Sequence, residues 1–170
     1  MEAEVLRLGH RAHRDARVST HIGLVARALG ASKLHYSGQK DDTLENSIND
    51  ISERWGGNFE TEYIKNWKKF AKEFDGIKVH LTMYGELVQN TISEMNGKNV
   101  LIILGGQKVP GEVYDIADYN IAVTGQPHSE IAALAVFLDR YSGGEALETE
   151  FPDANISVKP SERGKDIVRK

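Results

Sequence analysis

The stretch NVLIIL, from Asn99 to Leu104, is the most apolar strand-like segment of this 170-residue chain. A strand with one face in water alternates apolar and polar side chains, whereas this run is apolar without interruption from Val100 onward. Continuous apolar strands are typical of parallel sheets that carry helices on both faces. We therefore expect this segment at the centre of an open, mostly parallel sheet.

Strand-like and helix-like patterns alternate on both sides of this segment, which predicts an α/β fold with helices flanking a mostly parallel sheet. Apolar or alternating runs predict strands at Val5–Leu8, Lys33–Ser37, Phe59–Ile64, Lys78–Met83, Tyr119–Val123 and Ile156–Pro160, the last followed by a polar tail. Helical patterns predict helices at Thr20–Leu29, Leu44–Trp55, Trp67–Phe74, Leu87–Met95, Gly111–Ala117 and Ile131–Leu138. The length indicates one domain over residues 1–170, with a C-terminal extension from about residue 142.

The composition excludes several classes of protein. The chain has no cysteine, so it holds no disulfide framework, thiol nucleophile or thiolate metal site. Its formal net charge of −4 argues against indiscriminate nucleic-acid binding. The longest apolar run, Ile131 to Leu138, is too short to span a bilayer, and the N-terminus does not resemble a signal peptide. We expect a cytoplasmic protein with no membrane partner.

Basic side chains concentrate between Arg7 and Arg17, where four arginines and two histidines accompany a single acid, Asp15. Arginine forks suit phosphate, and a helix capped at Ser19 or Thr20 would add its dipole to the same anion site. A basic tail, KPSERGKDIVRK, repeats this charge at the end of the chain. The pattern favours a specific anionic partner, although a solvated basic loop explains the same residues.

A metal site is a further interpretation of this basic segment. It requires His10, His13 and His21 to converge. Because no carboxylate or cysteine stands beside them in a recognised ligand spacing, we expect no bound metal.

Three glycine-bearing loops follow predicted strands, namely MYGE after the strand ending at Met83, GGQKVPGE after Leu104 and TGQPHSE after Val123. Ligands of parallel sheets bind at the carboxyl ends of strands, where glycine lets the backbone approach closely. The alternative is that these glycines only end strands and that His128 only caps a helix. Dinucleotide, P-loop and nucleophile-elbow motifs are missing from the sequence, which makes those three enzyme classes poor interpretations.

The helix IAALAVFL, from Ile131 to Leu138, has no polar face over two turns. A helix that is apolar all round must be covered all round. Since a sheet covers only one side, we expect a subunit interface on the other side, in an isologous dimer.

Four segments together resemble the archaeal tRNA (cytidine-56)-2′-O-methyltransferases, members of the SPOUT class of trefoil-knotted methyltransferases. They are LRLGHRAHRDARVSTHIGLVARALGA, RWGG near Trp55, KVHLTMYG and ILGGQKVPGEVYDIADYNIAVTGQPHSEIAALAVFLDR. The resemblance is collinear from about Val5 to the basic tail. It implies a C-terminal trefoil knot and a homodimer that transfers a methyl group from S-adenosyl-L-methionine to a ribose 2′-hydroxyl in the TΨC loop of tRNA.

The resemblance also implies roles for individual residues. Cofactor binding falls to Leu81, Gly105, Gly106, Gln107, Lys108, Val109, Val123, Thr124, Gly125, Gln126, Pro127, His128, Ser129 and Glu130. RNA binding falls to Arg7, Arg11, Arg14 and Arg17. We expect Arg17 to act on the 2′-oxygen because it precedes the predicted helix. Arg14 is the other candidate for this role, and His21 is the backup candidate for a general base. Methylation of a base nitrogen and a non-catalytic RNA-binding module stay open as alternatives.

Overall fold

A parallel six-stranded sheet forms the centre of the computed structural model, which describes residues 2–106 and 108–170. The strands are β1 (Ala3–His10), β2 (Lys33–Gly38), β3 (Glu60–Tyr63), β4 (Ile77–Leu87), β5 (Val100–Gly105) and β6 (Tyr119–Ala122). Their order in the sheet is β3-β2-β1-β5-β4-β6, and all five pairings are parallel. The apolar run predicted to be central is β5, which lies between β1 and β4, so that prediction is confirmed.

Helices cover both faces of the sheet, as the continuous apolar character of β5 requires. The helices are α1 (Ala12–Ala28), α2 (Asp42–Trp55), α3 (Trp67–Glu73), α4 (Val88–Thr91), α5 (Glu112–Ile116) and α6 (Glu130–Tyr141), with 3-10 turns at Ile92–Met95 and Glu145–Glu148. Val100, Ile102 and Leu104 join a core with α1, α2 and α6, while Leu101 and Ile103 join a second core with α3 and α5. Within the described part of the chain, no helix has the length and apolar character needed to cross a bilayer.

The first helix begins at Ala12, so the predicted start at Thr20 is wrong. Ser19 is not a cap but a buried residue in the middle of α1. Two properties explain why the sequence pattern did not show the first two turns of this helix. The buried face carries the polar residues Asp15 and Ser19, and no side chain among the described residues caps the helix at Arg11. The apolar periodicity therefore becomes visible only at the later turns.

A buried histidine fixes α1 to the sheet and to the next helix. The Nδ1 of His10 lies 2.8 Å from Ser19 Oγ, and its Nε2 lies 3.0 Å from Asp41 Oδ2. Asp41 also caps α2 by accepting from the amides of Thr43 and Leu44. Burial would raise the pKa of Asp41, but these hydrogen bonds outweigh it and lower the pKa. The contact joins the end of β1, the middle of α1 and the start of α2.

The C-terminal tail is a hairpin, whereas the sequence predicted one strand and a polar tail. Two antiparallel strands form it, β7 (Ile156–Lys159) and β8 (Asp166–Arg169). The segment before it docks on the sheet domain, because the Asp153 carboxylate accepts from the Gly57 amide 2.9 Å away and the Arg27 guanidinium lies 4.4 Å from the centre of the Phe151 ring.

A shift in the register between β4 and β6 takes one loop out of the hydrogen-bonded sheet. In the pairing of β4 with β6, Leu81 and Glu86 both face Ile121, so residues 82–85 leave the ladder. Gly85 returns the chain to the sheet, and a Cβ at this position would collide with the Asn120 carbonyl oxygen and lie 2.5 Å from the Ile121 amide nitrogen. Only glycine fits without moving β6.

We expect Gly85→Ala to lower the free energy of unfolding by about 1–3 kcal/mol, because the added methyl group must displace the backbone of β6. Denaturant unfolding measures the change. Gly111→Ala is the matched control, since its φ of −57° suits alanine and the described residues leave open space where its Cβ would lie. A Gly85 variant as stable as the control would contradict this account of the loop.

Candidate functional site

The three glycine-bearing loops lie at one edge of the sheet. They follow β5, interrupt the end of β4 and follow β6, and these strands are parallel neighbours. The first turn of α1 follows β1, which pairs with β5 in parallel, and so reaches the same edge. The structure therefore brings the predicted cofactor loops and the arginine-rich segment together at the position where parallel sheets bind ligands.

A cavity of about 360 Å³ lies between the start of α1 and the loop after β5. The residues that line it belong to two predicted sets, the RNA-binding arginines and the cofactor-binding loops. Gln107, which was also predicted to bind cofactor, lies outside the described residues. The lining includes Arg7, Arg11, Arg14, Asp15, Gly106 and Lys108.

Arg7 lies at the floor of this cavity and is only 2% exposed. Its Nη1 donates to the Leu8 carbonyl oxygen at 2.6 Å, and its Nη2 lies 3.6 Å from Glu130 Oε1 at the start of α6. Burial lowers the pKa of its guanidinium, while Glu130 and Asp15 oppose that shift. Arg7 is therefore not part of the exposed basic patch predicted from the sequence, because β1 turns it towards the face of the sheet that α1 and α6 cover.

Three predicted residues form an exposed stripe on α1. Arg14, Arg17 and His21 are all exposed and stand three and four residues apart, which places them on one face of the helix. Because both arginines lie inside α1, the reason for ranking Arg17 above Arg14, its position before the helix, is wrong. Arg14 lies nearer the helix start and lines the cavity.

Arg11 stands at the mouth of the cavity and pairs with Asp15. The distance from Arg11 Nε to Asp15 Oδ2 is 3.0 Å, and this hydrogen bond lowers the pKa of the carboxyl group. The pair is partly open to water, since the arginine side chain is 53% exposed. The contact holds Arg11 beside the first turn of α1.

The three histidines of this segment lie in different environments. His10 bonds Ser19 and Asp41 in the interior, whereas His13 and His21 are exposed on α1. Over residues 2–106 and 108–170, no group of three or more histidine or carboxylate side chains could hold a metal ion. The three histidines do not converge.

The turn before α6 is exposed from Gly125 to Ser129 and is held by its own side chains. The Gln126 amide donates to Thr124 Oγ1 at 3.3 Å, and His128 Nδ1 donates to the Gln126 carbonyl at 2.7 Å. Ser129 Oγ caps α6 by accepting from the Ala132 amide. These contacts shape the turn, and they engage both the amide and the carbonyl of Gln126.

Sequence reasoning missed a polar network beneath the loop at residues 82–85. The Nδ1 of His80 donates to Asn120 Oδ1 at 2.9 Å, and Asn120 Nδ2 donates to the Tyr114 carbonyl. The Tyr114 hydroxyl lies 3.0 Å from Thr82 Oγ1. Burial lowers the pKa of His80, so the neutral ring is favoured. No local pattern reveals these contacts, because they join residues of β4, α5 and β6.

The comparisons with known proteins agree over nearly the whole chain. The sequence model of the family described as tRNA ribose 2′-O-methyltransferase, aTrm56, matches residues 55–168. A tRNA (cytidine(56)-2′-O)-methyltransferase of Pyrococcus horikoshii is 50% identical over 169 residues, 96% of this chain and 83% of the relative. The enzyme of that name from Methanocaldococcus jannaschii is 50% identical over 175 residues, 99% of this chain and 97% of the relative.

Solved structures of much lower identity share the fold. The AdoMet-bound rRNA methyltransferase of Sinorhizobium meliloti superposes with a TM-score of 0.60 at 17% identity, over 84% of this chain and 56% of that one. This chain thus spans just over half of that structure, and the likeness concerns the fold alone. Given the family match and the half-identity over nearly its full length, the chain belongs to the tRNA (cytidine-56)-2′-O-methyltransferase family.

Proposed function

We propose that this protein transfers the methyl group of S-adenosyl-L-methionine to the ribose 2′-hydroxyl of cytidine 56 in tRNA. The observation that carries the proposal is the half-identity to relatives of that name over nearly the whole chain. Support comes from the exposed arginines of α1, which lie at the same edge of the sheet as the glycine-bearing loops. A tRNA substrate implies activity in the cytoplasm, and the trefoil knot implied by the resemblance stays a prediction.

The loops at this edge fit an adenosyl cofactor. Val109 and Val123 are half-buried apolar side chains, the described residues leave open space where a Cβ of Gly125 would lie, and the turn that follows Gly125 is exposed. Main-chain amides and small apolar walls suit a nucleoside. The residues that would hold the cofactor are those of the earlier prediction that the structure describes: Leu81, Gly105, Gly106, Lys108, Val109 and Val123 to Glu130. When bound, the cofactor supplies a methyl group already activated by its sulfonium.

The residues of α1 act on the incoming hydroxyl. The resemblance gives the 2′-oxygen to an arginine of this segment, and we propose Arg17 for that role. Because arginine stays protonated in proteins, its side chain would orient the oxygen and stabilise the negative charge that develops on it. Arg14 lies one turn earlier, about 4.5 Å along the helix axis, and reaches a neighbouring phosphate. His21, one turn after Arg17, is the residue that accepts the proton of the hydroxyl. With these roles, positioning of the hydroxyl and stabilisation of its developing charge contribute more to the rate than general-base catalysis does.

Affinity for RNA comes from the exposed cations. Arg11, Arg14 and Arg17 follow one another along the start of α1, and Lys159, Lys165 and Arg169 are exposed on the C-terminal hairpin. Such contacts with phosphates release counterions and make binding sensitive to salt. The net charge of −4 argues against binding of RNA over the whole surface of the chain.

We expect the full chain to methylate an unmodified tRNA transcript when supplied with labelled S-adenosylmethionine. Nuclease digestion and mass spectrometry should place one methyl group on the ribose of cytidine 56. A methyl group on a base nitrogen would show that the protein catalyses a different methylation reaction. Binding without any transfer would establish a non-catalytic RNA-binding module.

Arg17→Ala should lower kcat by about 100-fold or more, because the transition state loses a charged hydrogen-bond donor. Its affinity for cofactor should not change. Arg14→Ala should act mainly on KM for tRNA, and Arg54→Ala, a partly exposed arginine of α2, is the matched control. Near-normal turnover in the Arg17 variant together with its loss in the Arg14 variant would reverse the two roles.

We also infer that α6 forms the interface of a homodimer. Ala133, Leu134, Phe137 and Leu138 point into the core, and the opposite side of the helix still carries apolar residues. On that side Ala132 is exposed and Val136 is 42% exposed. An apolar side of this kind on a helix is normally covered, and a two-fold axis through it would cover both copies at once.

Val136→Asp should raise the dimer dissociation constant at least about tenfold, because it places a charge in the apolar centre of the interface. Sedimentation velocity over a range of micromolar concentrations measures the change. Val158→Asp is the control, since Val158 is an exposed valine of the hairpin. A wild-type protein that sediments as a stable monomer at these concentrations would contradict the dimer.

A further inference from the structure

An exposed tyrosine lies at the ligand-binding edge of the sheet. Tyr84 belongs to the loop at residues 82–85, which the register shift takes out of the sheet. This residue is 80% exposed, more than any other large apolar or aromatic residue that the structure describes. A single exposed aromatic residue is ordinary on a protein surface, so its surroundings decide whether it has a role.

Contacts at both ends hold this loop in place. The Tyr84 amide donates to Thr82 Oγ1 at 3.4 Å, and the Tyr114 hydroxyl lies 3.0 Å from the same oxygen. The Tyr114 ring packs edge-on against the buried His80 ring, with 4.7 Å between the ring centres. At the other end, Gly85 lies close against the backbone of β6. A loop supported in this way loses less conformational entropy when its exposed side chain binds a ligand.

The register of the sheet places this loop at the height of the loop after β5. His80 of β4 pairs with Ile103 of β5. Two residues further along each strand stand Thr82 and Gly105, where the two loops begin, and Gly105 in turn pairs with Leu8 of β1. Neighbouring strands are about 4.8 Å apart, so β1 and β4 are roughly 10 Å apart across the sheet. One bound nucleotide can extend over this distance, from the start of α1 to the loop.

The residues of the loop suit a nucleobase and not a phosphate. The sequence at residues 82–85 is TMYG, so the loop carries no cation that could pair with a phosphate. An unpaired base presents a flat, uncharged face, and aromatic side chains stack on such faces in sites for single-stranded RNA. The loop therefore complements α1, whose arginines attract the RNA backbone.

We infer that Tyr84 stacks on the base of cytidine 56 and thereby positions its ribose. The inference rests on the proposed function, in which the 2′-oxygen lies between an arginine of α1 and the cofactor. The base is attached to the ribose carbon next to the one that carries the 2′-hydroxyl. Holding the base therefore restricts the rotation of the ribose and keeps the hydroxyl aligned with the methyl group. Tyr84 contacts the substrate in this arrangement but takes no part in the transfer itself.

The test removes the base and the tyrosine ring separately and together. Full-length tRNA transcripts carry an abasic ribonucleotide at position 56 or, as controls, at position 55 or in the anticodon loop. Affinity and turnover are measured for the wild-type chain, Tyr84→Ala and Tyr84→Phe. Leu147→Ala is the matched control, since Leu147 is 73% exposed and lies in the 3-10 turn after α6.

Loss of the base at position 56 should weaken binding to the wild-type chain by about tenfold and binding to Tyr84→Ala much less, because the stacking contact is already missing there. Tyr84→Phe should behave like the wild-type chain, since its ring still stacks. The Leu147 variant and the anticodon-loop substitution should show no coupling.

A second readout reports the stacking directly. Pyrrolocytidine, a fluorescent cytidine analogue, replaces cytidine 56 and keeps the 2′-hydroxyl. Its fluorescence should fall on binding to the wild-type chain and to Tyr84→Phe but not on binding to Tyr84→Ala. The melting temperatures of both variants should match that of the wild-type chain, because the Tyr84 side chain is exposed.

Equal losses in the wild-type chain and Tyr84→Ala would overturn the stacking contact, and so would coupling to position 55 instead of position 56. A tenfold loss of S-adenosylmethionine affinity in Tyr84→Ala without RNA would overturn it as well, since it would assign the ring to the cofactor. A tenfold higher dimer dissociation constant would instead place Tyr84 in a subunit interface. Failure of the proposed function is distinguishable from these results, because the wild-type chain would then not methylate the unsubstituted transcript.

Discussion

Burial of β5 on both faces is the constraint on which the rest of the structure depends. A strand with no polar side can be accommodated only if helices cover both faces of its sheet, and helical crossovers make the neighbouring strands parallel. Parallel strands end at one edge, so the loops after β5, at the end of β4 and after β6 meet there with the start of α1. The site is a consequence of how the core is built.

The alternation of side chains along β1 has a second consequence at this site. Val5 and Leu6 pack on opposite faces of the sheet, and Arg7 shares the face of Val5. That face is covered by α1 and α6, so the guanidinium is buried beside Glu130 at the floor of the cavity. The alternation of side chains that builds the core thus also places a charged guanidinium at the buried floor of the cavity.

The sequence predicted the strands of the sheet and the three glycine-bearing loops because these depend on local pattern: apolar runs, glycine and turn residues. It could not predict the start of α1, where Asp15 and Ser19 occupy the buried face, since their partners Arg11 and His10 are not visible as a pattern. The sequence predicted the first strand of the C-terminal hairpin but missed the second, because Ile167 and Val168 are adjacent and the segment does not alternate. Roles for individual residues came from the family resemblance, and the burial of Arg7 required the register of the sheet.

The central claim is that the acceptor is the 2′-oxygen of cytidine 56, and a tRNA with 2′-deoxycytidine at that position tests it most directly. The account predicts that this tRNA binds the protein with nearly the affinity of the unmodified transcript and competes with it, yet receives no methyl group from labelled S-adenosylmethionine. Methyl transfer to the deoxy substrate at the normal rate would contradict the account, because the accepting atom would then lie elsewhere on the RNA.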